Sequence, residues 1–177
     1  MDVQEALRQV MGELTGVLAR VEPAPANRLL DLLVSARRVY VAGEGRSGLV
    51  ARTFAMRLVH LGVTAYVCSE TITPAIQAGD LCIACSGSGA TRITCHRAAQ
   101  SRQVGAAVAA IVAVPCTPLG SEADLEIVLP ALGGSRQFGG TLFEQSLLLF
   151  LDSLVLLLQE RRGTSAESML AQHTNLE

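Results

Sequence analysis

Ser86-Gly87-Ser88-Gly89-Ala90-Thr91 sets three hydroxyls between two glycines within six residues. Glycine lets a backbone approach a ligand closely, and each hydroxyl adds a donor. The apolar run DLCIAC (80–85) predicts a strand before this loop, and a helix over 91–103 follows, so the positive end of that helix points at the loop. This is the chemistry of a phosphate cradle. One hydroxyl would suffice as an N-cap, and three exceed what a cap requires. The loop lacks the lysine of a Walker motif, which argues against a nucleoside triphosphate. A second glycine loop lies in VYVAGEGRSGLVARTFA (39–55), where Gly43, Gly45 and Gly48 satisfy G-x-G-x-x-G after a strand-like run. Glu70 sits about 20 residues beyond, where a ribose-binding acid would stand in a dinucleotide fold. Three features weigh against that reading: no second domain remains to hold a hydride acceptor, a second loop of hydroxyls is present, and Ser47 occupies the helix start.

Other residue types with chemical potential are scattered. Thr141-Leu142-Phe143-Glu144 matches a capping box, and Glu144 is equally a carboxylate able to act as a base. A lone helix histidine such as His60 commonly makes a polar contact near a helix end. His60 lies 13 residues past Ser47, about 20 Å along the same helix, so it does not reach its own glycine loop. Arg46 offers a positive charge to a ligand or pairs with a carboxylate across an interface, and Glu70 is a partner for it. Cys82-x-x-Cys85 suggests a metal, but residues three apart in a strand point to opposite faces. Cys95-His96 does not complete a four-ligand spacing. No metal and no cofactor are expected.

These residues need elements to hold them. Val3, Leu7, Val10, Leu14, Val17 and Leu18 recur at helical spacing over 2–20. The EPAPA segment (22–26) is read as a break, with a second helix over 27–36. Strands are predicted at 38–42, 64–68, 80–85, 107–114 and 125–130. Helices are predicted at 47–61, 91–103 and 141–160, with a short one near 164–172. Short apolar strands alternating with helices imply a parallel sheet covered on both faces. Five strands suit an α/β three-layer α/β/α sandwich of flavodoxin-like type, in which ligands bind beyond the carboxyl ends of the strands. Both glycine loops fall at that edge. The expected organisation is one domain over 1–177: N-terminal helices (1–36), a sheet core with both ligand loops (37–131) and C-terminal helices (140–177).

Half of the 177 residues are hydrophobic and 17% are charged, with a formal net charge of -2. That balance gives no electrostatic case for nucleic acid or an anionic membrane. The start MDVQEALRQVMGEL lacks a basic segment and an apolar core, so no leader is expected. LLLFLDSLVLLL (147–158) is broken by Asp152 and reads as a buried helix, too short to span a bilayer. Five cysteines, an odd number mostly in strand-like runs, fit reduced thiols in the cytoplasm.

Strand–G-x-G-R-S-G–helix followed by strand–S-G-S-G-x-T–helix resembles the sugar isomerase (SIS) domain family. The stretches FAMRLVHLG (54–62), SETITPAIQAGDL (69–81), GTLFEQSLLLFLD (140–152) and HTNLE (173–177) narrow the resemblance to its 6-phospho-3-hexuloisomerase branch, over nearly the whole chain. The resemblance implies conversion of D-arabino-hex-3-ulose 6-phosphate to fructose 6-phosphate in formaldehyde fixation by the ribulose monophosphate route. It also implies a homotetramer and a pathway partner, 3-hexulose-6-phosphate synthase. Residue by residue, it makes Glu144 the catalytic base and His60 a second catalytic group acting in a neighbouring subunit's site, with His173 able to do the same. It assigns Ser86, Gly87, Ser88, Gly89, Ala90 and Thr91 to the phosphate, Ser47 to a sugar hydroxyl and Arg46 to substrate charge. Two departures stand out: Ala90 replaces a glutamate common after SGSG, and GGSRQFGG (133–140) is shorter than the usual loop. A non-catalytic sugar-phosphate sensor and an isomerase for another phosphosugar remain alternative readings.

Overall fold

The computed structural model describes residues 1–68 and 70–175. Two helices, α1 (Val3–Leu18) and α2 (Pro23–Ser35), precede the sheet. They are followed by β1 (Val39–Gly43), α3 (Gly45–His60), β2 (Ala65–Val67), β3 (Leu81–Cys85), α4 (Arg92–Gln103) and β4 (Ala107–Val112). A short α5 (Pro118–Ser121), β5 (Leu125–Val128), α6 (Thr141–Arg162) and α7 (Ala166–Ala171) complete the chain. All strand pairs are parallel, in the order β2-β1-β3-β4-β5. This is the flavodoxin-like order, with its switch point between β1 and β3.

Local sequence explains most boundaries. Asp2 caps α1 through a complete capping box with Glu5. The expected break at EPAPA is corrected: α2 begins at Pro23, with proline in its first turn. The first turn has no intrahelical use for those N–H groups, so proline opens the helix instead of ending it. The unanticipated α5 is capped by Thr117, whose hydroxyl accepts from the Gly120 amide.

The alternation of strand side chains divides the core unequally. Val39, Val41, Ile83, Cys85, Ile111 and Ile127 face the larger cluster beneath α1, α2, α3 and α6. Ala42, Cys82, Ala84, Val108 and Ala110 face the smaller one beneath α4 and α5. Cys82 and Cys85 therefore point to opposite faces, as expected. Among the described residues no helix links β2 to β3, and the Tyr40 and Tyr66 rings meet at that margin, tilted, with centroids 5.3 Å apart. The expectation of a helix buried over 147–158 holds, and only its length needs correcting for α6 as a whole. Its 22 residues are long and apolar enough to cross a membrane, but half of its apolar window is buried in this fold. Leu147, Leu151, Leu154 and Leu158 are packed into the larger cluster.

At the opposite edge of the sheet from the glycine loops, Asp80 is 1% exposed. Burial pushes its carboxyl up. Hydrogen bonds from Arg38, the Gln77 amide and Arg37 outweigh burial, so its pKa lies below the ordinary carboxylate value. A depressed carboxyl contributes stability above its unfolded pKa and loses it as pH falls through the folded one. We expect Asp80→Asn to cost about 2–4 kcal/mol near neutral pH, as for breaking a buried hydrogen-bonded pair. That cost should shrink as the wild-type carboxyl is protonated in acid. Urea unfolding of both proteins at neutral and acid pH measures it, and an equal gap at both would contradict the assignment.

Candidate functional site

Both glycine loops meet at the carboxyl edge of the sheet. In the first, β1 passes into α3 with almost no connection. A Cβ on Gly48 would stand 2.6 Å from the Gly43 carbonyl oxygen. These glycines are therefore required for strand-to-helix packing. The helix begins at Gly45, two residues earlier than expected, and Glu44 rather than Ser47 is at the N-cap position. Ser47 lies within the first turn and lines the cleft between the loops.

The second loop is a tight turn. Gly89 has φ +60°, and a Cβ there would collide with Thr117 at 2.3 Å, so no other residue fits. The Gly89 amide donates to the Ser86 carbonyl at 3.0 Å, and the Gly89 carbonyl accepts from Leu119 at 2.8 Å. Ser86 is buried, its hydroxyl 3.0 Å from that of Thr91. Ser88 is exposed, and its oxygen accepts from the Ala90 amide at 3.2 Å, leaving its O–H free to donate outward. Thr91 is the N-cap of α4 without a side-chain cap bond. The first-turn amides of α4 are thus left for an incoming anion.

The cleft, about 220 Å³, is bounded by Ser47, Ser86, Gly87, Ser88, Thr91, Arg46, Glu44, Phe143 and Glu144. Its formal charges are mutually compensated. Arg97 donates to Glu44 at 2.5 Å, and Arg46 Nε lies 2.8 Å from Glu144 Oε2. A bound phosphate must therefore be held by hydroxyls, amides and the helix dipole. We expect the Ser86→Ala/Ser88→Ala double variant to bind phosphate esters more weakly by about 1–3 kcal/mol per lost hydrogen bond. Calorimetry on the folded variant measures this, and unchanged affinity would remove the cradle assignment.

Glu144 reaches the cleft from the first turn of α6, but not through the expected capping box. Gly140 is the N-cap, and it makes no side-chain bond. Thr141 Oγ1 donates to the Phe138 carbonyl at 2.7 Å and accepts from Arg46 at 2.6 Å. Arg46 therefore pairs within its own chain. Glu70, proposed as its partner, pairs with Arg52 instead and lines a neighbouring cavity. The Arg46–Glu144 contact lacks hydrogen-bond alignment, and Glu144 Oε2 is buried with no hydrogen-bond partner. The side chain as a whole is 25% exposed. This is a carboxylate whose buried oxygen faces only the Arg46 guanidinium, beside a phosphate cradle.

His60 lies elsewhere, at the far end of α3. Its ring stacks on His173 with centroids 5.2 Å apart, beside Met56 and Val59 in a separate cavity of about 260 Å³. Ser69, and Leu176 and Glu177 of the HTNLE stretch, lie outside the described residues. One contact was not anticipated: the Glu13 carboxylate of α1 gathers donors from Ser135, Arg136 and Gln137. No local pattern signals it, because the partners lie more than 120 positions apart.

Residues 32–157 match the family model described as SIS domain. The chain is 38% identical to the 3-hexulose-6-phosphate isomerase of Bacillus subtilis, over the full length of both. It is 39% identical to that of Mycobacterium gastri, covering 99% of this chain and 92% of the relative. A Methanococcus jannaschii protein, whose crystal structure was described as inferring a function of 3-hexulose-6-phosphate isomerase, superimposes with a TM-score of 0.89 at 31% identity. The match covers 98% of this chain and 99% of that one.

Proposed function

The chain belongs to the SIS domain family, and we propose from that membership that it is a sugar-phosphate isomerase interconverting D-arabino-hex-3-ulose 6-phosphate and fructose 6-phosphate. The observation that carries this reading is the Glu144 carboxylate, held by Arg46 at the wall of the phosphate cleft. With the phosphate held by Ser86, Ser88, Thr91 and the start of α4, Glu144 removes the C2 proton of the 3-ketose. The C2–C3 enediolate then collects a proton at C3, and the carbonyl moves to C2. No electrons leave the sugar, so the step needs only a proton carrier and stabilisation of the enediolate oxygen. Ser47 and Arg46 are suited to sugar hydroxyls and to that developing charge.

The working unit in this reading is a homotetramer with sites between subunits. Leu49, Met56 and Val59 on α3 and Leu149, Leu156 and Leu157 on α6 are exposed. These helices pack side by side through the Arg57–Asp152 ion pair, so their apolar residues offer one surface for a second copy. A neighbour docked there brings its His60 towards a cleft that its own α3 cannot reach. Five free thiols suit a cytoplasmic enzyme. A place in formaldehyde fixation, beside 3-hexulose-6-phosphate synthase, follows from the same substrate. The test is direct. Fructose 6-phosphate in D2O should acquire deuterium at C3 and equilibrate with the 3-ketose. Binding without exchange would instead identify a sugar-phosphate sensor, and exchange of a different phosphosugar would move the substrate assignment.

A further inference from the structure

The contacts around Glu13 connect an N-terminal helix to the cleft. Glu13 Oε2 accepts from Ser135 Oγ at 2.7 Å and Gln137 Nε2 at 3.2 Å. Its Oε1 accepts from the Arg136 amide at 3.0 Å and Gln9 Nε2 at 2.7 Å. Ser135 Oγ in turn accepts from the Gln137 amide at 3.0 Å. The backbone bond from Arg136, then those from Ser135, Gln9 and Gln137, hold the Glu13 carboxyl down at about 2. It is therefore an anion throughout the neutral range. Seven positions later, just past the end of α1, Arg20 donates to the Pro130 carbonyl at 2.9 Å. Helix α1 and the turn that follows it thus grip the β5–α6 connection at both its middle and its start.

That connection has no regular structure of its own. Gly133, Gly134 and Gly139 all have positive φ, and Phe138 and Leu132 point into solvent, 91% and 60% exposed. With so little burial, its course is set by polar contacts. It leads directly into the site. The Phe138 carbonyl receives the Thr141 hydroxyl, Gly140 caps α6, and the Gly140 carbonyl accepts the Glu144 amide at 3.0 Å. Arg46 closes the far side on Thr141 and Glu144.

We propose that Glu13 is a positioning residue for the reaction: it fixes the 133–140 segment and thereby the first turn of α6, which aims Glu144 at the sugar. The role rests on Glu144 as the base. Glu13 touches no part of the cleft and acts only through this segment. The hydroxyls of the phosphate cradle come from a different loop, on the other side of the cleft. The expected signature is a split between rate and binding.

The experiment measures C3 deuterium exchange and equilibrium binding of fructose 6-phosphate for four proteins: wild type, Glu13→Ala, Glu144→Gln and the double variant. Glu13→Ala should lower the exchange rate at least tenfold and leave the dissociation constant within about twofold. In the Glu144→Gln background, it should have no further effect, because its route to chemistry is gone. A Ser135→Gly/Gln137→Ala variant removes both side-chain contacts from the segment side without altering α1, leaving only the Arg136 amide, and it should reproduce most of the loss. That variant decides the question if Glu13→Ala does not fold. Normal exchange in folded Glu13→Ala, or in the segment variant, would overturn the inference while leaving Glu144 as the base. Normal exchange in Glu144→Gln would overturn the base assignment on which the inference stands. Equal losses of rate and binding would reduce Glu13 to a general structural contact.

Discussion

Glu144→Gln should lose turnover by a factor of about 100 or more, the range contributed by a positioned general base. The substitution preserves length and shape. It leaves the start of α6 intact, because Gly140 holds the cap position and the Glu144 side chain caps nothing. The ion pair with Arg46 is lost, but those side chains are 47% and 25% exposed, so the cost is at most about 1 kcal/mol. The phosphate cradle is built from a different loop, so affinity for fructose 6-phosphate should stay near wild type. What disappears is the proton acceptor. Deuterium incorporation at C3 in D2O, followed by NMR, reads the proton step itself rather than product release. Exchange that persists near the wild-type rate would place the base on another residue.

The same residue marks the limit of what was legible in the sequence. The glycine loops could be read because their chemistry is local: a strand, a run of hydroxyls and a helix start within a dozen positions. Alternating apolar strands and helices likewise implied the parallel sheet. The distance of His60 from its own loop needed only the helical rise. The Thr141–Glu144 spacing misled, since its meaning depends on which residue occupies the cap. Arg46, 95 positions away, takes Thr141 and Glu144 into the cleft wall. The Glu70–Arg46 expectation failed because Arg52 takes Glu70 instead. The start of α2 was missed because proline stops a helix from inside and opens one at its first turn. The Glu13 contacts, formed between α1 and an irregular segment, have no periodic or motif signature at all.

Mixing two inactive chains should restore activity. His60→Ala lacks the imidazole, Glu144→Gln lacks the base, and each homomeric preparation is expected to be inactive or nearly so. Within one chain the two groups are separated by the length of α3, about 20 Å at 1.5 Å per residue, and His60 occupies a different cavity from the cleft. They can serve one reaction only if the imidazole comes from a neighbour. The exposed apolar residues beside it, Met56 and Val59 on α3 with Leu156 and Leu157 on α6, mark the surface through which that neighbour would dock. In a closed assembly with two-fold axes, a mixed interface holds one site with both mutations and one with neither. Subunit exchange at low protein concentration, verified by mass spectrometry of the mixed oligomers, should therefore return up to about half of the wild-type sites at each mixed interface. The stacked His60–His173 pair must also remain close enough to the surface to turn towards the partner, and the separate cavity beside it leaves space for that movement. If exchange is proven and activity does not return, or if a sedimenting monomer is fully active, the site is complete within one chain and His60 only anchors the C-terminal segment through His173.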